Sequence, residues 1–276
     1  PATVTYEGIE YRVTEIKTHG FSAGDSPTSI VIPESVTKIG EFAFYNSHLL
    51  ESITFSENSQ LTSIEECAFF GCQNLQGIEI PASVTYIGPS AFSGCRYGLT
   101  SIAIPEGVTS IGGRAFADCT SLESVTIPGS VTSIGALAFS GCTSLTSITI
   151  PEGVAEIGNS AFANCTSLTS VTIPNSVTLI GDYAFSDCTS LSDIPYLFYS
   201  RLTDIGDYAF YNCNSLTSIY FQADGPTRIG SSAFEGCSEL SAVSIPNVEQ
   251  INRRAFYNCS SLVGILVYTT DAALIG

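Results

Sequence analysis

The pair Ala-Phe recurs ten times along this chain, at intervals of 22 to 25 residues. The ten pairs are Ala43-Phe44, Ala68-Phe69, Ala91-Phe92, Ala115-Phe116, Ala138-Phe139, Ala161-Phe162, Ala184-Phe185, Ala209-Phe210, Ala233-Phe234 and Ala255-Phe256. Phe21 stands in the same frame, 23 residues before Phe44. A repeat of this length is typical of a stacked solenoid, in which each unit buries its apolar face only against its neighbours. The sequence therefore predicts one elongated body of about 10 to 11 rungs, each of about 23 residues, whose function depends on a repetitive surface.

Each rung has the pattern of a short strand followed by turns, and residues 145–165 are a representative unit. Ser147–Ile150 alternates polar and apolar residues, as a strand with one buried face does. Pro151 ends the strand, because proline has no N–H for ladder pairing. After an extended apolar segment, Ala161 and Phe162 are predicted to lie on a helical or 3₁₀ turn, with the Phe ring in the core.

Nine of the ten cysteines occupy one position of the repeat, three residues after the repeat Phe. This cysteine ladder consists of Cys72, Cys95, Cys119, Cys142, Cys165, Cys188, Cys213, Cys237 and Cys259, and Ser47 takes the same place in the first repeat. Equivalent residues of stacked rungs lie about 4.8 Å apart with parallel side chains, a geometry that does not suit disulfides. We therefore interpret the ladder as a column of buried thiols that act as small hydrophobic residues. Cys67 stands outside the ladder and is predicted to be the more exposed thiol.

The residue before each ladder position is restricted to three residue types. This cap column consists of Asn46, Gly71, Gly94, Asp118, Gly141, Asn164, Asp187, Asn212, Gly236 and Asn258. Gly, Asn and Asp are the residues that tolerate a left-handed backbone at the end of a turn. The sequence therefore predicts a left-handed cap in every rung.

The motif Leu-x-x-Ile-x-Ile-Pro-x-x-Val-x-x-Ile-Gly-x-x-Ala-Phe-x-x-Cys, repeated over nearly the whole chain, resembles the BspA-like leucine-rich repeat family. The resemblance implies a leucine-rich-repeat solenoid wound as a right-handed superhelix, with short parallel strands on one face and extended segments and turns elsewhere. It also implies a secreted or surface-anchored protein of bacteria or protozoa, linked to adhesion and to binding of host extracellular matrix. The family has no shared catalytic motif, so the resemblance assigns no site residues.

The chain is expected to form a single domain, with a degenerate capping rung at residues 1–27 and the solenoid at residues 28–276. Val13-Thr14-Glu15-Ile16 repeats the Val-Thr-x-Ile pattern of the later rungs, which supports the capping assignment. At the other end, Leu274-Ile275-Gly276 repeats Leu179-Ile180-Gly181. We therefore expect the natural protein to continue beyond residue 276.

The net charge and the absence of catalytic motifs argue against several classes of function. The net charge of −17, from 9 Lys and Arg against 26 Asp and Glu, disfavours nucleic acid and anionic membranes, which both require basic surface. No apolar run approaches the roughly 18 residues of a membrane helix, so no membrane insertion of this segment is expected. Neither histidine, His19 or His48, has a nucleophile beside it that differs from the repeat background. The sequence predicts no enzyme, no catalytic residue, no cofactor and no metal site.

An acidic cluster is the one place where a cation could be held. Asp182 and Asp207 share a column in neighbouring rungs, and Asp187, Asp193 and Asp204 stand near them in the sequence. A solvated acidic loop is the favoured interpretation of this cluster.

Binding residues are sought where the repeat is irregular, because Ser and Thr cover the outward face of the central strands and rarely make binding hot spots. The longest irregularity is an insertion at residues 195–202 that carries several aromatic residues. The predicted binding residues are Tyr196, Phe198, Tyr199, Arg201 and Tyr220. In the alternative interpretation, these aromatic residues fill a packing defect made by the insertion. On the opposite side of the solenoid the residue types also vary from rung to rung, as Tyr183 and Tyr208 show.

The leading hypothesis is a monomeric, non-enzymatic extracellular adhesion scaffold that binds a host or matrix protein. A carbohydrate-binding surface protein is the second hypothesis, in which Tyr rings stack on sugars while Ser, Thr and Asp bind hydroxyl groups. A passive spacer that presents another domain is the third.

Overall fold

Two columns of parallel strands run along the solenoid in the computed structural model, which describes residues 3–6, 9–22, 27–194, 201–221, 225–246 and 248–267. The front column consists of Ser29–Ile32, Ser52–Phe55, Ser101–Ala103, Ser124–Thr126, Ser147–Thr149, Ser170–Thr172, Ser218–Tyr220, Ala242–Ser244 and Gly264–Leu266. Equivalent residues pair in register, as Ser147 does with Ser170. The predicted alternation is confirmed, since Ile148 is buried between the exposed Ser147 and Thr149.

The front column is interrupted at three places, and at one of them Ser124–Thr126 and Ser147–Thr149 lie in separate two-stranded sheets. Residues 77–79 lie in no strand, although Ile78 is buried like its equivalents, and an open groove of about 590 Å³ lies there between Thr54 and Ala103. Asp193 forms only an isolated bridge to Ser170.

The back column consists of two-residue strands, one in each rung. They are Glu15–Ile16, Lys38–Ile39, Ser63–Ile64, Tyr86–Ile87, Ser110–Ile111, Ser133–Ile134, Glu156–Ile157, Leu179–Ile180, Asp204–Ile205, Arg228–Ile229 and Gln250–Ile251. They form a four-stranded and a seven-stranded parallel sheet. The Ile of each pair points into the core, apart from the exposed Ile251 in the last rung.

An antiparallel hairpin, Thr3–Tyr6 with Ile9–Arg12, precedes the first back strand. Glu15–Ile16 then pairs in parallel with Lys38–Ile39, as rung pairs with rung elsewhere. The boundary between a capping segment and the solenoid at residue 27 stays a prediction.

The repeat Phe rings form one continuous stack through the core. Eleven rings, from Phe21 to Phe256, lie 5.1 to 5.4 Å apart between centroids, with interplanar angles of 3° to 17°. The rings from Phe44 to Phe234 are fully buried. Phe21 belongs to the stack, as its position in the sequence frame predicts.

The segment around each Ala-Phe pair is a series of β-turns, and the predicted helical or 3₁₀ turn does not form in the described residues. In the representative rung, the amides of Ala161, Ala163 and Cys165 each donate to the carbonyl three residues earlier, at 3.1 to 3.3 Å. Ser160 and Asn164 have φ values of 55° and 61°. A left-handed residue at the third position is the feature of a type II turn, and it prevents a continuous helix.

The amides that alternate with these bonds connect one rung to the next. Ser160, Phe162 and Asn164 donate to carbonyls of the following rung, each at 2.8 Å. The left-handed residues therefore belong to a backbone arrangement in which every amide from Ser160 to Cys165 has a partner.

All ten residues of the cap column have positive φ, between 54° and 81°, which confirms the prediction from residue type. A second left-handed position occurs in each rung, at the residue before the repeat Ala, with φ between 52° and 61°. This outer column consists of Phe42, Cys67, Ser90, Arg114, Leu137, Ser160, Tyr183, Tyr208, Ser232 and Arg254. Its residue types do not reveal its backbone conformation.

The ten cysteines are free thiols, and the ladder members from Cys72 to Cys237 are buried. Each of the nine ladder Sγ atoms lies 3.1 to 3.4 Å from the carbonyl of the repeat Phe in the preceding rung. Ser47 Oγ donates to the Phe21 carbonyl in the same way, at 2.7 Å. The ladder position is therefore a buried hydrogen-bond donor as well as a small apolar residue. Cys67, which was expected to be the more exposed thiol, is half-buried, as is Cys259.

Candidate binding groove

The side of the solenoid that carries the β-turns, called here the turn face, presents two neighbouring columns of side chains. One is the outer column, and the other is the residue directly after each repeat Phe. This flanking column consists of Tyr45, Phe70, Ser93, Ala117, Ser140, Ala163, Ser186, Tyr211, Glu235 and Tyr257. The inter-rung hydrogen bonds fix the backbone of both columns. The size of each side chain therefore determines whether the turn face has a ridge or a groove at that rung.

A groove of about 440 Å³ lies on the turn face where small residues meet a group of tyrosines. Its floor includes Ser160 and Ala163, and Leu137 lines it one rung before Ser160. Tyr183 lines it one rung after Ser160, and Tyr211 lies beyond. The groove therefore exists because Ser160 and Ala163 are much smaller than their neighbours in the same columns.

Three tyrosines form one wall of the groove. The rings of Tyr183 and Tyr208 are stacked with centroids 4.7 Å apart and an interplanar angle of 4°. Tyr211 meets Tyr208 edge to face, at 5.7 Å and 67°. Tyr183 remains 43% exposed because Tyr208 covers one face of its ring, while the next outer-column residue on the other side is Ser160. The other face of the Tyr183 ring lies on the side of Ser160, which also lines the groove.

The groove also has a polar edge made by the cap column. Asn164 and Asp187 line it, Asn164 being exposed and Asp187 half-buried. The Asp187 carboxylate accepts hydrogen bonds from Ser186 Oγ at 2.7 Å and from Asn212 Nδ2 at 3.0 Å. These bonds orient the carboxylate and leave part of its acceptor capacity for a ligand.

The electrostatic environment of the groove is acidic. Burial against its surroundings raises the pKa of the Tyr183 hydroxyl, and Tyr208, Asp182 and Asp207 raise it further. None of the residues that line the groove is a Lys or Arg. A cation is therefore favoured at this site over an anion.

The acidic cluster suggested by the sequence is engaged with the protein backbone. Asp182 Oδ1 accepts from the amide of Asp207 at 2.8 Å, and Asp207 Oδ1 accepts from the amide of Ser231 at 2.8 Å. Arg228 binds Asp204 at 2.6 Å and Asp207 at 3.0 Å, and its hydrogen bond to Asp204 raises the pKa of the guanidinium. In the described part of the chain, no group of three or more His, Cys, Asp or Glu side chains could hold a metal ion.

The predicted binding residues are only partly within the structure. Tyr196, Phe198 and Tyr199 lie outside the described residues. Arg201 is exposed, and its amide donates to the Asn175 carbonyl at 3.4 Å. Tyr220 is 41% exposed at the end of strand Ser218–Tyr220. These five residues stay a prediction.

Sequence analysis pointed to Tyr183 and Tyr208 but did not identify the groove. Tyr211 and Asp187 were not connected with these two tyrosines as binding residues. The signal that would have found the groove is the change in size along the outer column, from Leu137 through Ser160 to Tyr183.

Within the described ranges, the chain has no helix with the length and apolar character that crossing a membrane requires. A comparison of the sequence with curated proteins found no match.

Solved structures with the same architecture include a bacterial cell surface protein. A leucine-rich cell surface protein of Faecalibacterium prausnitzii is 33% identical, with 99% of this chain and 87% of that chain covered and a TM-score of 0.53. A leucine-rich repeat protein of Eubacterium ventriosum is 21% identical over 91% of this chain and 81% of its own, with a TM-score of 0.55. The pneumococcal vaccine antigen PcpA is 23% identical over 99% and 78%, with a TM-score of 0.58. The last two similarities concern the fold alone.

The family comparison covers almost the whole solenoid. Six copies of the region described as BspA type leucine-rich repeat match, over residues 14–145, 96–197 and 155–270. With the strand columns and the Phe stack, this match shows that the chain belongs to the BspA-type leucine-rich repeat family.

Proposed function

We propose that this chain is a non-enzymatic scaffold, secreted or displayed on a bacterial surface, that binds a host or matrix protein through its turn face. The observation that carries the proposal is the groove beside Tyr183, Tyr208 and Tyr211. Tyrosine is among the residues that dominate binding energy at protein interfaces. The similarity to the cell surface protein of Faecalibacterium prausnitzii supports an extracellular location.

The backbone beneath the groove favours a preorganised site. The amides of Ser160 and Tyr183 donate to the following rung at 2.8 and 2.9 Å, which holds both residues in place. A surface that does not have to become ordered on binding keeps more of its contact energy as affinity. By contrast, the exposed Ser and Thr residues of the central front strands offer few groups that contribute strongly to binding.

A carbohydrate is the second candidate ligand. An exposed Tyr183 ring face beside Ser160 and Asn164 supplies both a stacking surface and hydrogen-bonding groups for hydroxyls. Tyr196, Phe198, Tyr199, Arg201 and Tyr220 remain a second set of proposed binding residues.

The proposal is tested by binding the chain to a panel of immobilised extracellular matrix proteins and to a glycan array, at physiological salt. Ser160→Tyr fills the groove, and Phe198→Ala/Tyr199→Ala removes two residues of the second set. Saturable protein binding that Ser160→Tyr abolishes supports the turn face as the binding site. Protein binding that only the second variant abolishes assigns the binding to the second set of residues. Binding to neither array would contradict a binding function and favour a spacer, whereas binding to glycans alone would favour the carbohydrate hypothesis.

A further inference from the structure

The groove on the turn face contains a slot bounded by Leu137 and Tyr183. The two residues are separated by two rungs of the outer column, and the Phe rings of these rungs are 5.4 and 5.3 Å apart. Leu137 and Tyr183 therefore arise from backbone positions roughly 10 Å apart, as two steps between parallel strands require. Ser160 is the one outer-column residue between them. After the thickness of the Leu side chain and the Tyr ring is subtracted, the slot has room for one planar group.

The chemistry of the slot favours a planar cation. The uncovered face of Tyr183 attracts positive charge through the quadrupole of its ring. Asp187 supplies an oriented carboxylate at the polar edge, and Asp182 contributes negative charge beside Tyr183. A guanidinium meets both requirements, because it stacks on an aromatic face and donates to carboxylate oxygens from its edge.

The same pairing is already present within this chain, three rungs further along the turn face. The Arg254 guanidinium lies over the ring of Tyr257, with Cζ 4.7 Å from the ring centroid. Arg254 belongs to the outer column and Tyr257 to the flanking column. This contact shows that a guanidinium over a tyrosine ring occurs on the turn face, here between two columns of one rung.

We propose that the slot between Leu137 and Tyr183 receives an arginine side chain of the partner protein, stacked on Tyr183 and bound to Asp187. This inference rests on the proposed protein-binding function and specifies the chemistry of the partner. The chain's net charge of −17 adds long-range attraction for a basic partner. Arginine is preferred over lysine because a planar group fits between Leu137 and the Tyr183 ring.

The repeats provide matched variants for the test. Ser90, Ser160 and Ser232 occupy the outer column with φ of 53° to 55°, so Tyr183→Ser keeps a residue that this backbone accepts. Asn164 and Asn212 occupy the cap column with positive φ, so Asp187→Asn removes the charge without removing the cap. Ser160→Tyr places in the slot a residue that Tyr183 and Tyr208 show to be compatible with the same backbone.

The experiment is an NMR titration of the ¹⁵N-labelled chain with acetyl-Gly-Arg-Gly-amide, and with acetyl-Gly-citrulline-Gly-amide as the neutral control of similar shape. We expect saturable shifts at the amides of residues 137, 160, 163, 183 and 187 at millimolar peptide. The citrulline peptide should bind at least about tenfold more weakly, and Tyr183→Ser or Asp187→Asn should lower the affinity for the arginine peptide by about three- to tenfold. Ser160→Tyr should abolish the shifts.

Equal shifts with both peptides, shifts elsewhere on the chain, or unchanged binding by Ser160→Tyr would overturn the proposal. Saturation of the groove by a simple glycoside, with no response to the arginine peptide, would overturn it in favour of carbohydrate. If the arginine peptide fails but Ser160→Tyr still abolishes binding to a matrix protein, the inference falls and the proposed function stands. If the arginine peptide binds but no protein on the panel does, the slot chemistry stands and the proposed function falls.

Discussion

Ser160 and Phe162 lie two residues apart in one turn, yet they belong to columns with opposite character. The Phe stack and the cysteine ladder, together called the inner columns, repeat nearly the same residue in every rung. The outer column contains Phe, Cys, Ser, Arg, Leu and Tyr on a nearly constant backbone, with φ between 52° and 61°. The inner columns hold the rungs together through ring stacking and thiol hydrogen bonds, whereas the outer column requires a conformation but no particular side chain. The side chains that contact a partner can therefore vary along the outer column without altering the fold.

The largest expected effect concerns the protonation of the inner thiols. Burial raises the pKa of Cys72 and Cys165 to about 12, against an ordinary value of 9.0, and raises the pKa of Cys188 and Cys213 as well. Above pH 9 the unfolded chain loses thiol protons that the folded chain retains. The contribution of the protonated thiols to the free energy of unfolding is therefore complete below pH 9 and declines up to about pH 12. Each of these four thiols should contribute a decline of about 1.4 kcal/mol per pH unit to the free energy of unfolding.

Urea unfolding at pH 7, 9 and 10.5 measures this decline. Cys165→Ser is the matched control, because Ser47 already occupies the ladder position in the first repeat. Its decline should be shallower by the contribution of one thiol. Identical slopes for the variant and the wild-type chain would show that the ladder thiols do not govern alkaline stability.

The second expected effect comes from interrupting the Phe stack. Phe162 is fully buried, with neighbouring rings at 5.4 and 5.3 Å, so Phe162→Ala should lower the free energy of unfolding by about 3 to 5 kcal/mol. Tyr183→Ser, in the outer column of the next rung, should lower it by only about 1 kcal/mol, because the variant loses the ring stack on Tyr208. Similar losses for the two variants, measured by urea unfolding, would remove the distinction between the inner and outer columns.

The third effect concerns one residue from each left-handed column, in neighbouring rungs. Gly141 has φ of 75°, and a Cβ there would lie 2.6 Å from Asp118 Oδ1, so Gly141→Ala should cost about 1 to 2 kcal/mol. Ser160 carries a side chain at φ of 55° towards the open groove. Ser160→Gly should therefore raise the melting temperature by relieving backbone strain of about 1 kcal/mol. A lower melting temperature for Ser160→Gly would indicate that the outer column depends on its side chains for stability.

The smallest effect concerns the donor function of the ladder. Cys142 Sγ lies 3.2 Å from the Phe116 carbonyl, which also accepts the amide of Cys119 at 3.4 Å. Cys142→Ala should lower the free energy of unfolding by about 1 kcal/mol, and Cys142→Ser by less, because a hydroxyl still donates. If serine proves more damaging than alanine in urea unfolding, the ladder acts through its apolar character alone.

The inner columns could be predicted from the sequence because the core permits few residue types. The frame that places Phe21 in the ring stack, and the restriction of the cap column to Gly, Asn and Asp, both reflect such limits. Every cap residue has a left-handed backbone, which Gly, Asn and Asp tolerate, and a Cβ at Gly141 or Gly236 would also lie 2.6 or 2.5 Å from the side-chain oxygen of the preceding cap residue. At the positions of the Phe stack and the cap column, the residue type therefore indicates the local structure.

The outer column could not be predicted in the same way. Leu137, Ser160 and Tyr183 share a left-handed conformation, but their side chains point away from the packed interior, so no residue type is excluded. For this reason the turns around the Ala-Phe pair were predicted as helical, and the groove was not identified. The donor function of the thiols was also missed, because it depends on the distance between Cys142 and a carbonyl in another rung.

The most direct test of the division between inner and outer columns is to measure the stability and the arginine-peptide binding of Ser160→Tyr on the same sample. We expect a free energy of unfolding within about 0.5 kcal/mol of the wild-type chain and no detectable peptide binding. Wild-type binding, or a loss of stability comparable to that of Phe162→Ala, would contradict this division.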